Sequence, residues 1–371
     1  MPPVKYHYGE FPPKTLEWPR LIPLLGPASY AIAQYDALLK AIPNPEVLLS
    51  PLVTQEAVLS SQIEGTIATM AEVLEYEAGL EQELESRKQQ DIHEIINYRK
   101  AIKFAEELLK TIPLTGRLIK ESHAKLLEGV RGEGKDRGNF RTNENWIGPP
   151  GCTKDNAKFI PIEPQNLMEG ISEWEKYLHS DQPDVLVQLG IVHAEFEALH
   201  PFYDGNGRMG RMLLPLYLYS RKLLTSPTFY MSAYFETHRA EYYERLLAIS
   251  RDNDWSGWCE FFLTAINEQA NLNTNKAKEI MDLYGNKKDW VAEKTHSQHA
   301  IKTLDFLFGH PVFAGSEFVN NSGIPVATAK RILGVLQKGE LVKVLKKSSG
   351  RRPAILVFPE LINITEGRKL F

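Results

Sequence analysis

The chain has 371 residues, of which 43% are hydrophobic and 24% are charged, and its formal net charge is −4. This composition is typical of a globular protein with roughly two or three domains, and the acidic balance excludes a chain that is basic throughout, as many nucleic-acid binders are. The two cysteines, Cys152 and Cys259, form neither a disulfide framework nor a zinc site by themselves. Free thiols fit a reducing cytoplasm, and no apolar stretch approaches the ~20 residues of a membrane span. We therefore expect a cytoplasmic protein that is free of the membrane.

The first 27 residues are rich in proline, which predicts an extended arm on the surface. Further along the chain, apolar residues recur at helical spacing. They predict helices over residues 30–39, 48–59, 70–110 and 114–127. The third of these is strongly acidic at its start, which indicates a solvated face, and in the fourth we expect His123 to face the core or to cap a helix.

The stretch from Gly138 to Pro161 changes character. Residues 146–147 and 159–160 predict two short strands on either side of a run of turn residues. An amphipathic helix is predicted over 168–178, and a strongly apolar helix over 185–199. The second of these leads directly into a polar segment.

That segment has twelve residues, His200 to Arg211, and lies between two apolar runs, so we predict a loop that opens a second core helix. Gly205 and Gly207 permit backbone conformations and close approaches that other residues resist. Backbone N–H groups at a helix N-terminus bind phosphate. Arg208 and Arg211 lie on the first helical turns and can grip phosphate oxygens. The segment therefore predicts a phosphate-binding site.

Two further residues of the segment carry chemistry. Asp204 is a hard oxygen ligand suited to a Mg²⁺ that bridges phosphates, and His200 titrates near neutrality and can take a proton from an attacking hydroxyl. Each feature alone more often has a structural role, but their combination in one loop favours catalysis. Pro215 falls inside the predicted second helix, where it should cost a hydrogen bond or kink the helix.

The twelve residues match the Fic family motif, His-Pro-Phe-x-Asp-Gly-Asn-Gly-Arg-x-x-Arg, at every fixed position, so the chain resembles a Fic protein. The resemblance implies a mainly α fold with a helical core and a small β-hairpin flap, and a protein adenylyltransferase that moves AMP from ATP to a protein hydroxyl. It implies that His200 is the general base, that Asp204 holds Mg²⁺ and that Phe202 packs the loop into the core. It assigns nucleotide binding to Gly205, Asn206, Gly207, Arg208, Met209, Gly210 and Arg211.

The resemblance also changes the interpretation of the stretch Ser60-x-x-x-Glu64-Gly65. By itself this stretch predicts the end of a helix, with Glu64 exposed and Gly65 as the cap. It matches the inhibitory motif of many Fic proteins, Ser/Thr-x-x-x-Glu-Gly/Asn. A Glu64 carboxylate beside Arg211 would make the forked pair that the γ-phosphate of ATP would otherwise make. We therefore hypothesise an autoinhibited enzyme.

Two more assignments rest on the resemblance. The hairpin around residues 146–160 resembles the Fic flap, which holds a target segment by strand addition, with plain surface structure as the alternative. Thr237 and Tyr242 are candidates for lining the adenine pocket, although aromatic pairs on helices more often pack in the core.

The resemblance divides the chain into four parts. They are a helical region with the inhibitory motif (1–112), the catalytic core (113–270), a helical connector (271–295) and a winged-helix domain (296–371). In the last part, helices over 301–308, 313–322 and 326–336 precede two strands, 342–345 and 354–358, joined by a basic turn. Lys330 and Arg331 form a local basic patch with that turn, which suits DNA, although winged helices also serve as protein-interaction or packing modules. The basic residues of the turn are Lys346, Lys347, Arg351 and Arg352.

Two hypotheses from different classes remain open. The first is a Mg²⁺-dependent protein adenylyltransferase that uses ATP and modifies a Tyr, Thr or Ser hydroxyl of another protein or of itself. Within it, removal of AMP or use of another phosphate-containing donor are alternatives, and relatives of this class often form homodimers. The second is a nucleotide-sensing regulator whose winged helix binds DNA. The intact motif favours the first, because a sensor does not need His200.

Overall fold

The computed structural model describes residues 2–79, 85–149, 151–349 and 353–371. Over these residues the chain is mainly helical, which confirms the predicted fold class. The helices are α1 (Trp18–Ala41), α2 (Pro45–Leu48), α3 (Ser50–Ile63), α4 (Met70–Glu77), α5 (Ser86–Leu109), α6 (Gly116–Leu126), α7 (Pro164–His179), α8 (Val185–Leu199), α9 (Asn206–Ser220), α10 (Ser232–Thr237), α11 (Arg239–Asp252), α12 (Trp255–Thr295), α13 (Ala300–Gly309), α14 (Gly315–Asn321), α15 (Val326–Lys338) and α16 (Pro359–Glu366). The strands are β1 (Val4–Lys5), β2 (Phe159–Ile160), β3 (Val312–Ala314), β4 (Lys343–Lys346) and β5 (Ile355–Val357).

The chain forms two compact units that are assembled from interleaved segments. The first comprises Met1–Ala37, Leu59–Thr66 and Asn97–Leu272 and contains the twelve-residue motif and Glu64. The second comprises Leu38–Val58, Ile67–Ile96 and Asn273–Phe371. The four-part division of the sequence stays a prediction. Among the described residues, no helix combines the length and the apolar character that crossing a bilayer requires.

The proline-rich arm is shorter than predicted, because α1 begins at Trp18 and contains Pro23 and Pro27. Each proline removes one N–H donor from the helix. The two lie four residues apart, so both missing bonds fall on the same side. Apolar positions such as Leu21 and Tyr35 are fully buried, and burial of such a face contributes more to helix stability than propensity does. The prediction of an extended arm over 1–27 is therefore wrong beyond residue 17.

The helices that flank the motif, α8 and α9, pack against each other in the first unit. Asp184 caps the N-terminus of α8, where its carboxylate accepts from two backbone N–H groups (both 2.9 Å). The helix α9 begins at Asn206 and contains Pro215, as the sequence predicts. Because Pro215 lacks an N–H group, the carbonyl of Arg211 receives no helical hydrogen bond from it.

The predicted hairpin is present in reduced form. Ile147 makes a single antiparallel bridge with Phe159, so the first predicted strand shrinks to one residue pair among the described residues. Residues 159–160 form β2, whose other edge pairs in parallel with β1 from the N-terminal arm. This pairing was not predicted, since the two strands lie far apart in the sequence.

In the C-terminal part, β3, β5 and β4 form an antiparallel sheet in that order. The predicted helix over 313–322 starts later than expected, because residues 312–314 are buried and pair with β5 instead. The two remaining helices and the strand pair appear where they were expected, and α16 was not predicted. Arg351 and Arg352 of the basic turn lie outside the described residues, and the assignment of a winged helix stays a prediction.

Candidate functional site

The motif begins where α8 ends, and the backbone of His200 there takes the left-handed conformation (φ 46°, ψ 60°). This conformation costs a non-glycine residue ~1–2 kcal/mol, so surrounding contacts must hold it. Arg141 supplies them: its Nε donates to the His200 carbonyl (2.9 Å) and its Nη2 donates to the Leu199 carbonyl (3.2 Å). Arg141 is itself buried. No periodicity or motif in the sequence pointed to this role.

Side-chain hydrogen bonds fix the motif loop between α8 and α9. The Asn206 amide accepts from the Phe202 N–H and donates to the Phe202 carbonyl (both 2.8 Å), so its side chain braces the loop. His123 stacks on the Phe202 ring (3.7 Å) and its Nε2 donates to the Asp204 carbonyl (2.9 Å). Its Nδ1 accepts from the Gly138 N–H (2.9 Å), which assigns the neutral tautomer, and burial lowers the pKa of His123 to about 4. The prediction of a core-facing His123 is confirmed.

The His200 imidazole is suited to accept a proton. Burial lowers its pKa to about 4, against the opposing effect of the Glu64 carboxylate, so the ring is neutral at physiological pH. Its Nδ1 is shielded from solvent and has no hydrogen-bond partner within the part of the chain that the structure describes. A neutral imidazole can act as a general base towards a hydroxyl.

The start of α9 forms an anion site that a carboxylate of the same chain reaches. Gly205, the N-cap, has a left-handed backbone (φ 74°) that glycine adopts without strain, and the first N–H groups of the helix lack helical acceptors. Arg211 is 2% exposed, and its Nε donates to Ser60 Oγ (2.9 Å). Its Nη2 donates to the Ser60 carbonyl and to Glu64 Oε1 (both 2.7 Å). Both residues of the predicted inhibitory motif therefore contact Arg211.

The Glu64 carboxylate lies against the backbone of Gly207, where a Cβ would overlap Glu64 Oε1. Glycine at this position therefore lets the carboxylate come close to α9. Burial raises the pKa of Glu64, but the neighbouring Arg211 outweighs it and holds the pKa below its usual value, so Glu64 is ionised. The side chain of Glu64 is 38% exposed and that of Arg211 is 1% exposed. The pair is a charge-assisted hydrogen bond that solvent reaches from the Glu64 side.

The end of α3, directly before Glu64, is held by α11. Gly65 has a left-handed backbone (φ 98°) and closes the helix, as predicted. The Ile63 carbonyl, which has no helical donor at this position, accepts from Arg239 Nη2 (2.5 Å) and from the Tyr243 hydroxyl (3.4 Å). Sequence reasoning missed Arg239 because the contact joins residues 176 positions apart.

Asp204 lies at the mouth of the loop, with its side chain 32% exposed. Lys135 Nζ lies 3.2 Å from Oδ2 and Arg208 Nη2 lies 3.6 Å from Oδ1. No group of three or more His, Cys, Asp or Glu side chains among the described residues could hold a metal ion. Mg²⁺ commonly uses one or two carboxylates and takes its other ligands from phosphates and water. The partly exposed carboxylate of Asp204, next to the anion site, fits that mode of binding.

Glu197 is a titratable residue of the site that sequence reasoning missed. A Cβ on Gly210 would overlap its Oε1, so glycine allows α9 to pack closely on α8 here. The same oxygen is buried without a hydrogen-bond partner among the described residues, and burial raises the pKa of Glu197 to about 7 although Arg211 opposes it. His193 Nδ1 donates to the Gly210 carbonyl (3.1 Å).

Three residues assigned to nucleotide binding have other contacts. Tyr242 is buried and its hydroxyl donates to His193 Nε2 (2.9 Å). Thr237 is exposed, and its Oγ1 donates to the Ala233 carbonyl (2.8 Å) within α10. Their place in an adenine pocket stays a prediction. Met209 is fully buried, so its side chain packs in the core and only its backbone is left for a nucleotide.

A helical core, a loop that opens α9 and a short flap are together the features of a Fic domain. The family model described as Fic/DOC family matches residues 113–218, which contain the motif. The model described as Fic/DOC family N-terminal matches residues 22–107, which contain Ser60 and Glu64. The chain belongs to the Fic/DOC family.

Two curated relatives have an activity in their names. Protein adenylyltransferase Fic of Drosophila virilis is 28% identical over 159 residues, which are 41% of this chain and 30% of that protein. A probable protein adenylyltransferase of Aquifex aeolicus (strain VF5) is 42% identical over 71 residues, which are 18% of this chain and 22% of that protein. The chain therefore spans less than a third of the length of these relatives.

Among solved structures, a Fic family protein from Desulfovibrio desulfuricans G20 is similar over 94% of this chain and 98% of that one. The TM-score is 0.60 and the sequence identity is 19%. At this identity the similarity shows that the two proteins share a fold.

Proposed function

We propose that the protein is a nucleotidyltransferase that transfers AMP from ATP to a Tyr, Thr or Ser hydroxyl of a protein, and that Glu64 inhibits it. The observation that carries the proposal is the 2.7 Å charge pair between Glu64 and Arg211 at the start of α9. A helix N-terminus flanked by arginines favours the binding of phosphate groups. Here the Glu64 carboxylate occupies the position beside Arg211 that a phosphate group would take. The names of the two relatives support AMP as the transferred group.

In the active state, the phosphates of ATP bind at the first turns of α9. Arg211 takes the terminal phosphate once Glu64 has left, and Arg208 binds a neighbouring phosphate. The backbone N–H groups from Gly205 to Gly207 complete the anion site. The Asn206 side chain is already bonded to Phe202, so this residue contributes through its backbone.

His200 acts as the general base in this proposal. It removes the proton of the target hydroxyl, whose oxygen then forms a bond to the α-phosphorus of ATP. The bond between the α-phosphorus and the oxygen that bridges to the β-phosphate breaks, and diphosphate leaves. Because burial lowers the pKa of His200, the ring is neutral at physiological pH and its unprotonated nitrogen is available for this proton.

Asp204 is the residue that would hold Mg²⁺. When bound, the ion would neutralise charge on the phosphates and help to orient them. The Lys135 ammonium now lies against the Asp204 carboxylate, at 3.2 Å. We infer that this exposed side chain moves away when a metal-bound nucleotide enters, since an ion pair between exposed groups contributes little free energy.

Inhibition follows from the geometry of the Glu64 pair. With Glu64 in place, the terminal phosphate cannot bind Arg211, and the remaining phosphates are poorly placed for in-line attack at the α-phosphorus. Ser60 supports this state because it accepts from Arg211 through both its hydroxyl and its carbonyl oxygen.

The alternative activities, the homodimer, the cytoplasmic location and DNA binding stay predictions. Removal of AMP and the use of another phosphate-containing donor involve the same site. DNA binding through residues 296–371 loses part of its presumed patch, because Arg331 donates to the Thr295 carbonyl at the end of α12 (2.8 Å).

The test is transfer of label from α-labelled ATP with Mg²⁺, in the presence of a cell lysate. The proteins compared are the wild type, Glu64→Gly and the double variant Glu64→Gly/His200→Ala. We expect labelled protein to increase in Glu64→Gly and to disappear in the double variant, and γ-labelled ATP to leave no label. Absence of label with every protein, or label from γ-labelled ATP, would contradict AMP transfer.

A further inference from the structure

The N-terminal arm, residues 2–11, completes the flap. The Val4 N–H donates to the Lys158 carbonyl (3.1 Å) and the Tyr6 N–H donates to the Ile160 carbonyl (3.0 Å), on either side of Phe159. The N–H and carbonyl of Phe159 itself bond to Ile147 on the opposite edge (3.1 and 2.9 Å). The strand β2 therefore has the arm on one edge and the Ile147 segment on the other.

The flap is too small to be stable by itself. Without the arm it would consist of the two-residue strand β2 and one bridge to Ile147. Even a regular two-stranded hairpin is marginally stable in water, and a third strand or packing against a helix is needed. The arm supplies both of these.

The contact with a helix is made through a buried carboxylate. Glu195 lies in α8, five residues before His200, and is fully buried. The Tyr6 hydroxyl donates to Glu195 Oε1 (2.6 Å), and His7 Nε2 bonds to Glu195 Oε2 (2.8 Å) while its Nδ1 bonds to Ser250 Oγ (2.7 Å). A buried carboxylate is costly unless hydrogen bonds satisfy it. Both oxygens of Glu195 bond to the arm, so arm and α8 stabilise each other.

A further hydrogen bond ties the arm to the chain beyond β2. The Tyr8 hydroxyl accepts from the Glu163 N–H (2.8 Å), directly before α7. The arm thus contacts the chain before, within and after β2, and also the helix that ends at His200. Together with Arg141, which donates to the carbonyls of Ile162 and His200, the arm connects the position of the flap to the position of the general base.

We propose that the arm is a positioning segment for the protein target. It holds the flap at a fixed place relative to His200, so that a target segment that pairs with the edge of the Ile147 segment facing away from β2 presents its hydroxyl to the base. This inference rests on the proposed function. It assigns to the arm a role in target modification and none in nucleotide binding. Within the part of the chain that the structure describes, the arm bonds to the flap, to Glu163, Glu195 and Ser250, and not to the residues of the anion site.

The matched test variants are Val4→Pro and Lys5→Pro in the Glu64→Gly background. Val4→Pro removes the N–H that bonds to Lys158. Because alternate residues of a strand donate to the same neighbour, the Lys5 N–H points away from β2, so Lys5→Pro adds a proline without removing that bond. Tyr8→Phe is a milder third variant, since Tyr8 is exposed and only its hydroxyl is lost.

Three readouts separate the outcomes. We expect Val4→Pro to speed amide exchange at Ile147 and Phe159 and to reduce labelling of lysate proteins about fivefold, the effect of one lost hydrogen bond. The affinity of Val4→Pro for ATP, measured by calorimetry, should equal that of the Glu64→Gly parent. Lys5→Pro should match the parent in all three readouts. Tyr8→Phe should also show faster exchange and weaker labelling.

Faster flap exchange with undiminished labelling would overturn the proposal, because the arm would then be structural only. Unchanged exchange in both Val4→Pro and Tyr8→Phe would also overturn it. Failure of the Glu64→Gly parent to transfer label would instead contradict the proposed function, and the exchange rates would still decide whether the arm holds the flap.

Discussion

The pair between Glu64 and Arg211 leads to a quantitative prediction about nucleotide affinity. Before the terminal phosphate of ATP binds Arg211, the Glu64 carboxylate must leave a guanidinium that is 1% exposed. A charge-assisted hydrogen bond contributes ~1.5–3 kcal/mol, and because Glu64 is 38% exposed, solvent screening reduces this to about 1–2 kcal/mol. Since ~1.4 kcal/mol is a tenfold change in an equilibrium constant, we expect Glu64→Gly to bind ATP about tenfold more tightly than the wild type.

The assay is isothermal titration calorimetry with ATP and Mg²⁺, and with AMP as a control ligand. AMP lacks the terminal phosphate that competes with Glu64, so its affinity should be equal in the wild type and in Glu64→Gly. Glu64→Gln keeps the shape and a neutral hydrogen bond, so its gain in ATP affinity should be smaller, about threefold. Glu241→Gln removes an equal charge that pairs with Arg245 on an exposed helix face, and it should change nothing.

Equal ATP affinities of the wild type and Glu64→Gly would refute the reasoning, because the carboxylate would then not compete with the nucleotide. An equal gain for AMP and ATP would also refute it. That result would mean that Glu64 blocks the site as a whole and not the place of the terminal phosphate.

Two further predictions concern neighbours of this pair. Burial raises the pKa of Glu197 to about 7, so the folded protein keeps a proton that the unfolded chain releases near 4.5. Stability should therefore fall by ~3 kcal/mol as pH rises between these values, since one pKa unit corresponds to roughly 1.4 kcal/mol. Urea unfolding of Glu197→Gln should lack this slope, and parallel pH profiles would contradict the assignment. Arg239→Gln should loosen Ile63 at the end of α3 and raise labelling from α-labelled ATP about threefold, which is less than the rise in Glu64→Gly. Arg245→Gln, on the same helix, should leave labelling unchanged. If labelling does not rise in Arg239→Gln, this contact does not hold the inhibitory segment.

Much of the site chemistry could be predicted because it is local. The segment from His200 to Arg211 is contiguous, so its spacing alone indicates a loop followed by a helix whose first turns carry two arginines. Helical periodicity likewise located most of the helices around it. The sequence also pointed to Glu64, although only through the resemblance of a short motif, since a glutamate before a glycine is otherwise an ordinary helix end.

The tertiary structure decided everything that depends on contacts between distant residues. The Glu64–Arg211 pair joins positions 147 apart, and the bond from Tyr6 to Glu195 joins positions 189 apart. The roles of Arg141 and of the arm come from individual hydrogen bonds to backbone or buried groups. Such bonds leave no periodic pattern in the sequence, so neither role could be predicted. Local propensity also failed at α1 and at β3. The prolines of α1 predict an extended arm, and the residues of β3 predict part of a helix, but burial against distant segments outweighs local propensity in both places.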